Sequence, residues 1–124
     1  MAYPSVDIVA FSRPGGESCA PSRARPVDLV HLARQTMGDR ALEQEVLSMF
    51  VQQAQSVKDQ IRRANAEQRR FLAHGLKGSA RGIGAFAVAE ICGKVEDEPT
   101  SEAGMRKLAR AIDDVRDFVA TINR

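Results

Sequence analysis

Between residues 27 and 123 the apolar side chains fall into stripes at helical spacing, interrupted by capping and turn residues. Asp28 is placed to cap a short helix running through about Met37, with Leu29, Leu32 and Ala33 on its apolar side and Gly38 ending it. Asp39 then caps a long helix reaching about Ala64, in which Leu42, Val46, Phe50, Val57 and Ile61 recur at multiples of about 3.6. Asn65, with Gln68 three residues on, has the form of a capping box and opens a third helix. Ile83, Val88, Ile91, Cys92 and Val95 form a fourth stripe that closes before Pro99. The last is the clearest, with Met105, Leu108, Ile112, Val115, Val119 and Ile122 at alternating steps of three and four. Period-two alternation is confined to a weak "VDIVAF" near the N-terminus. The pattern predicts an all-α protein, an antiparallel four-helix bundle preceded by a short N-terminal helix.

Proline usage divides the chain. Pro4, Pro14, Pro21 and Pro26 with the "PGGES" turn predict a flexible tail over 1–26, leaving 27–124 as the bundle. A chain of 124 residues suits one core. The formal charge of +2 is too small to indicate nucleic acid by itself. The basic run Arg62, Arg63, Arg69 and Arg70 lacks interleaved aromatics, which favours a solvated face or an acidic protein partner over nucleic acid. Cys19 and Cys92 form no metal-ligand spacing, so no zinc site, no other metal site and no disulfide framework is expected. With no long apolar run and no signal-peptide pattern, the expectation is a cytoplasmic protein that does not enter a membrane. Small size favours a monomer.

One stretch of the third helix runs against helix propensity. "HGLKGSARGIG", residues 74–84, holds four glycines, each costing about 1 kcal/mol in a helix interior. With His74 at zero and about 100° per residue, Arg81 falls at about −20°, Arg70 at about −40°, Lys77 at about −60° and Phe71 at about +60°. Leu72, Leu76 and Ile83 lie on the opposite side, so the imidazole is expected to face outward among cations. Gly75, Gly78 and Gly82 occupy roughly +40° to +100°, immediately beside the ring. Gly84 lies at a helix junction and suits a turn.

An outward imidazole beside bare glycines suits a nucleophile. A free imidazole, with a pKa of about 6.5, is mostly neutral near pH 7 and carries a nitrogen lone pair able to attack phosphorus. Lys77 and Arg81 stand where they would offset a phosphoryl dianion, and Gly78 leaves room for a partner to reach the phosphorus in line. A second reading stays open here: the glycines let helices pack closely, and His74 is an ordinary surface residue. His31, without a second ligand at metal spacing, is expected to face solvent or act as a cap. Cys92, within an apolar stripe, is expected in the core.

Residues 73–97, "AHGLKGSARGIGAFAVAEICGKVED", resemble the signature of histidine-containing phosphotransfer (HPt) domains. Ala73, His74, Leu76, Lys77, Gly78, Ser79, Ala80, Ile83, Gly84, Cys92, Val95 and Glu96 fit that pattern, and "VDLVHLARQTMGDRALEQEVLSMF" resembles the usual approach to the bundle. The resemblance implies a four-helix bundle whose His74 accepts a phosphoryl group from a receiver-domain aspartate and passes it to another receiver, with Lys77 and Gly78 assisting and exposing the histidine. It implies as partners the receiver domains of a hybrid histidine kinase or of response regulators. It implies no cofactor on this chain, Mg²⁺ belonging to the receiver. Arg70, Phe71, Gly75, Arg81 and Gly82 are the expected partner-binding surface. Gly75, where a larger residue is usual, and the additional Gly82 depart from the pattern.

Two rivals differ in chemistry. A histidine kinase dimerisation segment usually follows its histidine with an acidic residue and then a proline, whereas Gly75 follows here and no proline occurs before Pro99. There is no GxxxxGK[ST] loop and no evident nucleotide site, and an ATP-binding domain is missing, so autokinase activity is not expected. The other rival is a bundle of the same kind that binds receivers without transferring phosphate.

Overall fold

The computed structural model describes residues 25–123, and these carry five helices: α1 (Leu29–Gln35), α2 (Arg40–Ile61), α3 (Ala66–Ile83), α4 (Phe86–Asp97) and α5 (Glu102–Ile122). Most of the expected tail, with "VDIVAF" and Cys19, lies outside the described residues. Packing runs α2 on α3, α3 on α4, α4 on α5 and α5 back on α2, so four helices close a ring, while α1 rests on α3. No helix among the described residues is long and apolar enough to cross a membrane.

The expected caps form. Asp28 accepts from the Val30 and His31 amides at 3.1 Å, and Asp39 from Leu42 at 3.0 Å. Asn65 and Gln68 make both halves of a capping box at 2.9 and 3.1 Å. Such caps satisfy amides that a helix start leaves without partners, each contributing about 1 kcal/mol. Ser101 does the same for α5 through Gly104.

The boundaries and the α2 stripe differ from the sequence expectation. Helix α1 stops at Gln35 rather than Met37, because Thr36 turns its hydroxyl back to the Leu32 carbonyl and Met37 and Gly38 pass through left-handed backbone. Helix α2 stops at Ile61 rather than Ala64; the amides of Arg63 and Ala64 bond back to Gln60 and Ile61 in a tight turn. Leu42 is 41% exposed instead of buried. The α2 face that is buried is Leu47, Phe50, Ala54, Val57 and Ile61, and Leu42 lies about 100° around the helix from its centre. Ile122, expected in the α5 stripe, is partly exposed at the helix end, where burial stops with Val119.

Two polar side chains do structural work that the sequence did not reveal. Arg69 belongs to no solvated basic face: it is largely buried, and its guanidinium donates to the carbonyls of Ile61 (3.0 Å), Pro99 (2.9 Å) and Arg62 (3.4 Å). One side chain thereby joins the end of α2 to the α4–α5 connection. His31, expected in solvent or as a cap, instead sets Nε2 3.2 Å from the Gly82 carbonyl and its ring edge-on to Phe86 at 5.1 Å.

The α3–α4 corner fixes the register of the two helices that carry the site. Gly84 ends α3 at φ +90°, a left-handed conformation that costs a residue with a Cβ about 1–2 kcal/mol. Its carbonyl accepts from the Asp28 amide at 2.9 Å, and a Cβ there would stand 2.8 Å from the Asp28 carbonyl oxygen. Gly84→Ala is therefore expected to lower stability by at least about 1–2 kcal/mol, read as a fall in urea midpoint with the slope unchanged. A midpoint equal to wild type would show that the corner tolerates a side chain.

Candidate functional site

On α3, Arg70, His74 and Lys77 stand on successive turns of one face, and all three reach the last turn of α4 at a single residue, Glu96. His74 projects outward, its side chain 73% exposed. Its Nδ1 lies 2.9 Å from Glu96 Oε2, Lys77 Nζ is paired with the other carboxylate oxygen, and Arg70 Nε donates to the Glu96 backbone carbonyl at 3.2 Å. Glu96 and Lys77 are both about four-fifths covered, at 21% and 20% exposure.

The nearest charged partner of His74 is thus a carboxylate, which corrects the expectation of an imidazole standing among cations. Lys77 does not project freely over the ring. At about −60° on the helix it points toward α4, where Glu96 meets it. An ionised carboxylate only accepts, so the imidazole donates from Nδ1, which in the neutral ring leaves the lone pair on Nε2. The Lys77 ammonium, and after it the hydrogen bond from His74, hold the Glu96 carboxyl below the usual carboxylate range against the opposing effect of burial.

The remaining expected residues surround this cluster. A Cβ at Gly75, Gly78 or Gly82 would meet nothing within 4 Å. Close packing between helices therefore does not account for these glycines. Phe71 is 79% exposed, and Arg81 is exposed one turn beyond Gly78. Cys92 is buried in α4, and burial, followed by the nearby Glu96 charge, pushes its thiol up to about 12, so it stays protonated and unreactive.

Glu96 is the residue that sequence reasoning left without a role. It was visible as the acid of the hydrophobic-Glu pair, but it lies 22 positions from His74, and no local spacing rule joins them. The link exists only once the Gly84 corner has folded α4 back on α3.

The pH dependence follows from the direction of the Glu96 shift. A carboxyl held below its ordinary value of 4.5 contributes stability that is present above that value and is lost as pH falls through the lower, folded one. The stability difference between wild type and Glu96→Gln is therefore expected to be largest above about pH 5 and to shrink on acidification, measured by urea unfolding at several pH values. A difference independent of pH would mean that the carboxylate charge contributes nothing to the fold.

The sequence profile of the Hpt domain matches residues 45–120, more than half of the chain, from within α2 to within α5 and including His74 and Glu96. No curated protein and no solved structure matches. A ring of four helices, an outward histidine held by a carboxylate from the next helix, and the profile match agree: the chain belongs to the Hpt domain family, whose members carry phosphoryl groups in phosphorelay signalling and interact with receiver domains.

Proposed function

We propose that His74 is the phosphoacceptor of this chain, taking a phosphoryl group on Nε2 from a receiver aspartate and delivering it to the aspartate of another receiver. The observation that carries this reading is the bond from His74 Nδ1 to Glu96, which directs the free lone pair outward beside the bare Gly78. In the forward step Nε2 attacks phosphorus, the N–P bond forms and the P–O bond to the aspartyl carboxyl breaks, and the aspartate leaves as a carboxylate. The ring keeps its Nδ1 proton and becomes cationic, so the charge it develops lies against Glu96. Total charge is unchanged, and the reverse step uses the same groups.

Each neighbour has a part in this chemistry. Glu96 orients the ring and offsets its developing charge, as the carboxylate partner of a histidine does in general acid–base sites. Lys77 acts through Glu96, keeping it ionised and placed. Gly78 clears the line of approach to Nε2. The chain supplies no cofactor; Mg²⁺ belongs to the receiver, and no autokinase activity is expected.

The test is transfer of label from phosphorylated receiver domains to the purified chain, with acid and base treatment of the product. Acid-labile, base-stable label that is lost in His74→Gln, and strongly reduced in Gly78→Gln, is the expected result. Binding without label would instead identify a receiver-binding adaptor, and wild-type transfer by Gly78→Gln would remove the access argument. Lys77→Ala is expected to slow transfer on the order of tenfold while leaving the circular dichroism spectrum unchanged. An unchanged rate would show that Glu96 positions the ring without help.

A further inference from the structure

The basic run Arg62, Arg63, Arg69 and Arg70 is divided by the fold. Arg69 turns inward to backbone carbonyls, and Arg70 reaches the Glu96 carbonyl beside His74. Arg63 lines a cleft at the α2–α3 turn. Arg62 is left on the α5 side of α2, where it meets Arg106, far away in sequence. Both line a cleft of about 480 Å³ between α2 and α5, with Lys58, Arg69 and Glu102 as its other charged residues and Met105 at its floor.

The charges of this cleft are unequally matched. Lys58 is held by Asp113 at 2.7 Å, and Asp113 is shared with Arg116. Glu102, the one acid lining the cleft, stands one turn before Arg106 but turns to Arg69, 3.9 Å away. Asp59, the nearest acid on α2, lines the cleft on the α3 side instead, and Asp114 lies about 80° around α5 from Arg106. Among the described residues Arg62 and Arg106 make no ion pair. Two unpaired guanidinium groups thus stand on facing helices above the apolar Met105 and Ala109.

The chemistry of the lining selects among anions. A continuous phosphate chain is repelled by Glu102 and Asp113, and no aromatic ring lines the cleft on which a base could stack. Separate carboxylates suit it better, since each guanidinium fork takes one carboxylate in two parallel hydrogen bonds. From Glu102 to Ala109 the cleft runs about two helical turns, or about 10 Å, the length of about three residues of an extended segment.

We propose that the α2–α5 cleft binds a carboxylate-rich segment of a partner protein, with Arg62 and Arg106 each pairing with one of its carboxylates and an apolar side chain of the segment covering Met105. In the ring of helices this cleft lies on the side away from the α3–α4 groove that holds His74 and Glu96. The acidic segment and a partner at His74 therefore occupy different faces, and the chain is held by one while the other stays open.

The experiment titrates a fluorescein-labelled peptide of alternating glutamate and leucine with the full chain, followed by anisotropy. A double variant, Arg62→Glu with Arg106→Glu, is compared with Arg40→Glu with Lys94→Glu, which changes net charge equally at exposed positions elsewhere. The first is expected to weaken binding by at least on the order of tenfold and the second by less than about twofold. Raising salt from about 0.05 to about 0.2 M is expected to weaken wild-type binding several-fold. Arg62→Gln with Arg106→Gln is expected to show a similar loss at an unchanged urea midpoint, which separates lost charge from lost fold. Labelling of His74 by a phosphorylated receiver is expected to be unchanged in the Arg62 and Arg106 variants. No binding by wild type overturns the proposal, as does equal weakening in both Glu double variants, which would reduce it to net charge. Unchanged affinity for the peptide with glutamine in place of glutamate overturns it too. Displacement of the peptide by inorganic phosphate or duplex DNA at matched ionic strength would assign the cleft to phosphates and overturn it. Loss of receiver labelling in the Arg62 and Arg106 variants would make the cleft part of the His74 contact, with the same consequence.

Discussion

The carboxylate of Glu96 is the point on which the site depends. It selects the proton position on His74, gives Lys77 a fixed partner and, through its backbone carbonyl, holds Arg70. None of these side chains could be held in this way by α3 alone, since they project from one helix and need an acceptor at the right height on a second. That height is set at the Gly84 corner, where the left-handed cap turns the chain and the Asp28 amide bonds to the Gly84 carbonyl. The chemistry of the histidine is in this sense a property of the α3–α4 register.

Helix α3 combines poor propensity with firm ends. Three exposed glycines weaken its second half. Its start is fixed by a capping box and by Arg69, and its end by Gly84 together with the contact of His31 on the Gly82 carbonyl. Pinning at both ends lets the exposed side remain bare without fraying. Ala73, Leu76, Ala80 and Ile83 on the opposite side tie the middle to the core.

Much of this was legible in the sequence because the signals were local. Asp28, Asp39 and Asn65 are caps by residue type and spacing, the α5 stripe is nearly unbroken, and the exposed half of α3 follows from turning about 100° per residue. What was not legible depends on which helix lies beside which. Arg69 reads as one more arginine in a basic run until Pro99 is brought beneath it. His31 reads as a surface residue until α1 is laid on α3. Glu96 reads as an acid near a helix end until α4 folds back. Leu42 failed for a smaller reason, since it fits a stripe drawn through Val46 but not the one that the α3 and α5 contacts bury.

Arg69 has one more consequence. Its planar guanidinium spends one N–H from each of its three nitrogens on a backbone carbonyl, which ties the turn between α2 and α3 to the α4–α5 connection. The entropy of ordering that turn is spent during folding. A lysine in its place, with its donors on a single nitrogen, could not span all three carbonyls, so the joining of α2, α3 and the α4–α5 connection depends on the guanidinium fork.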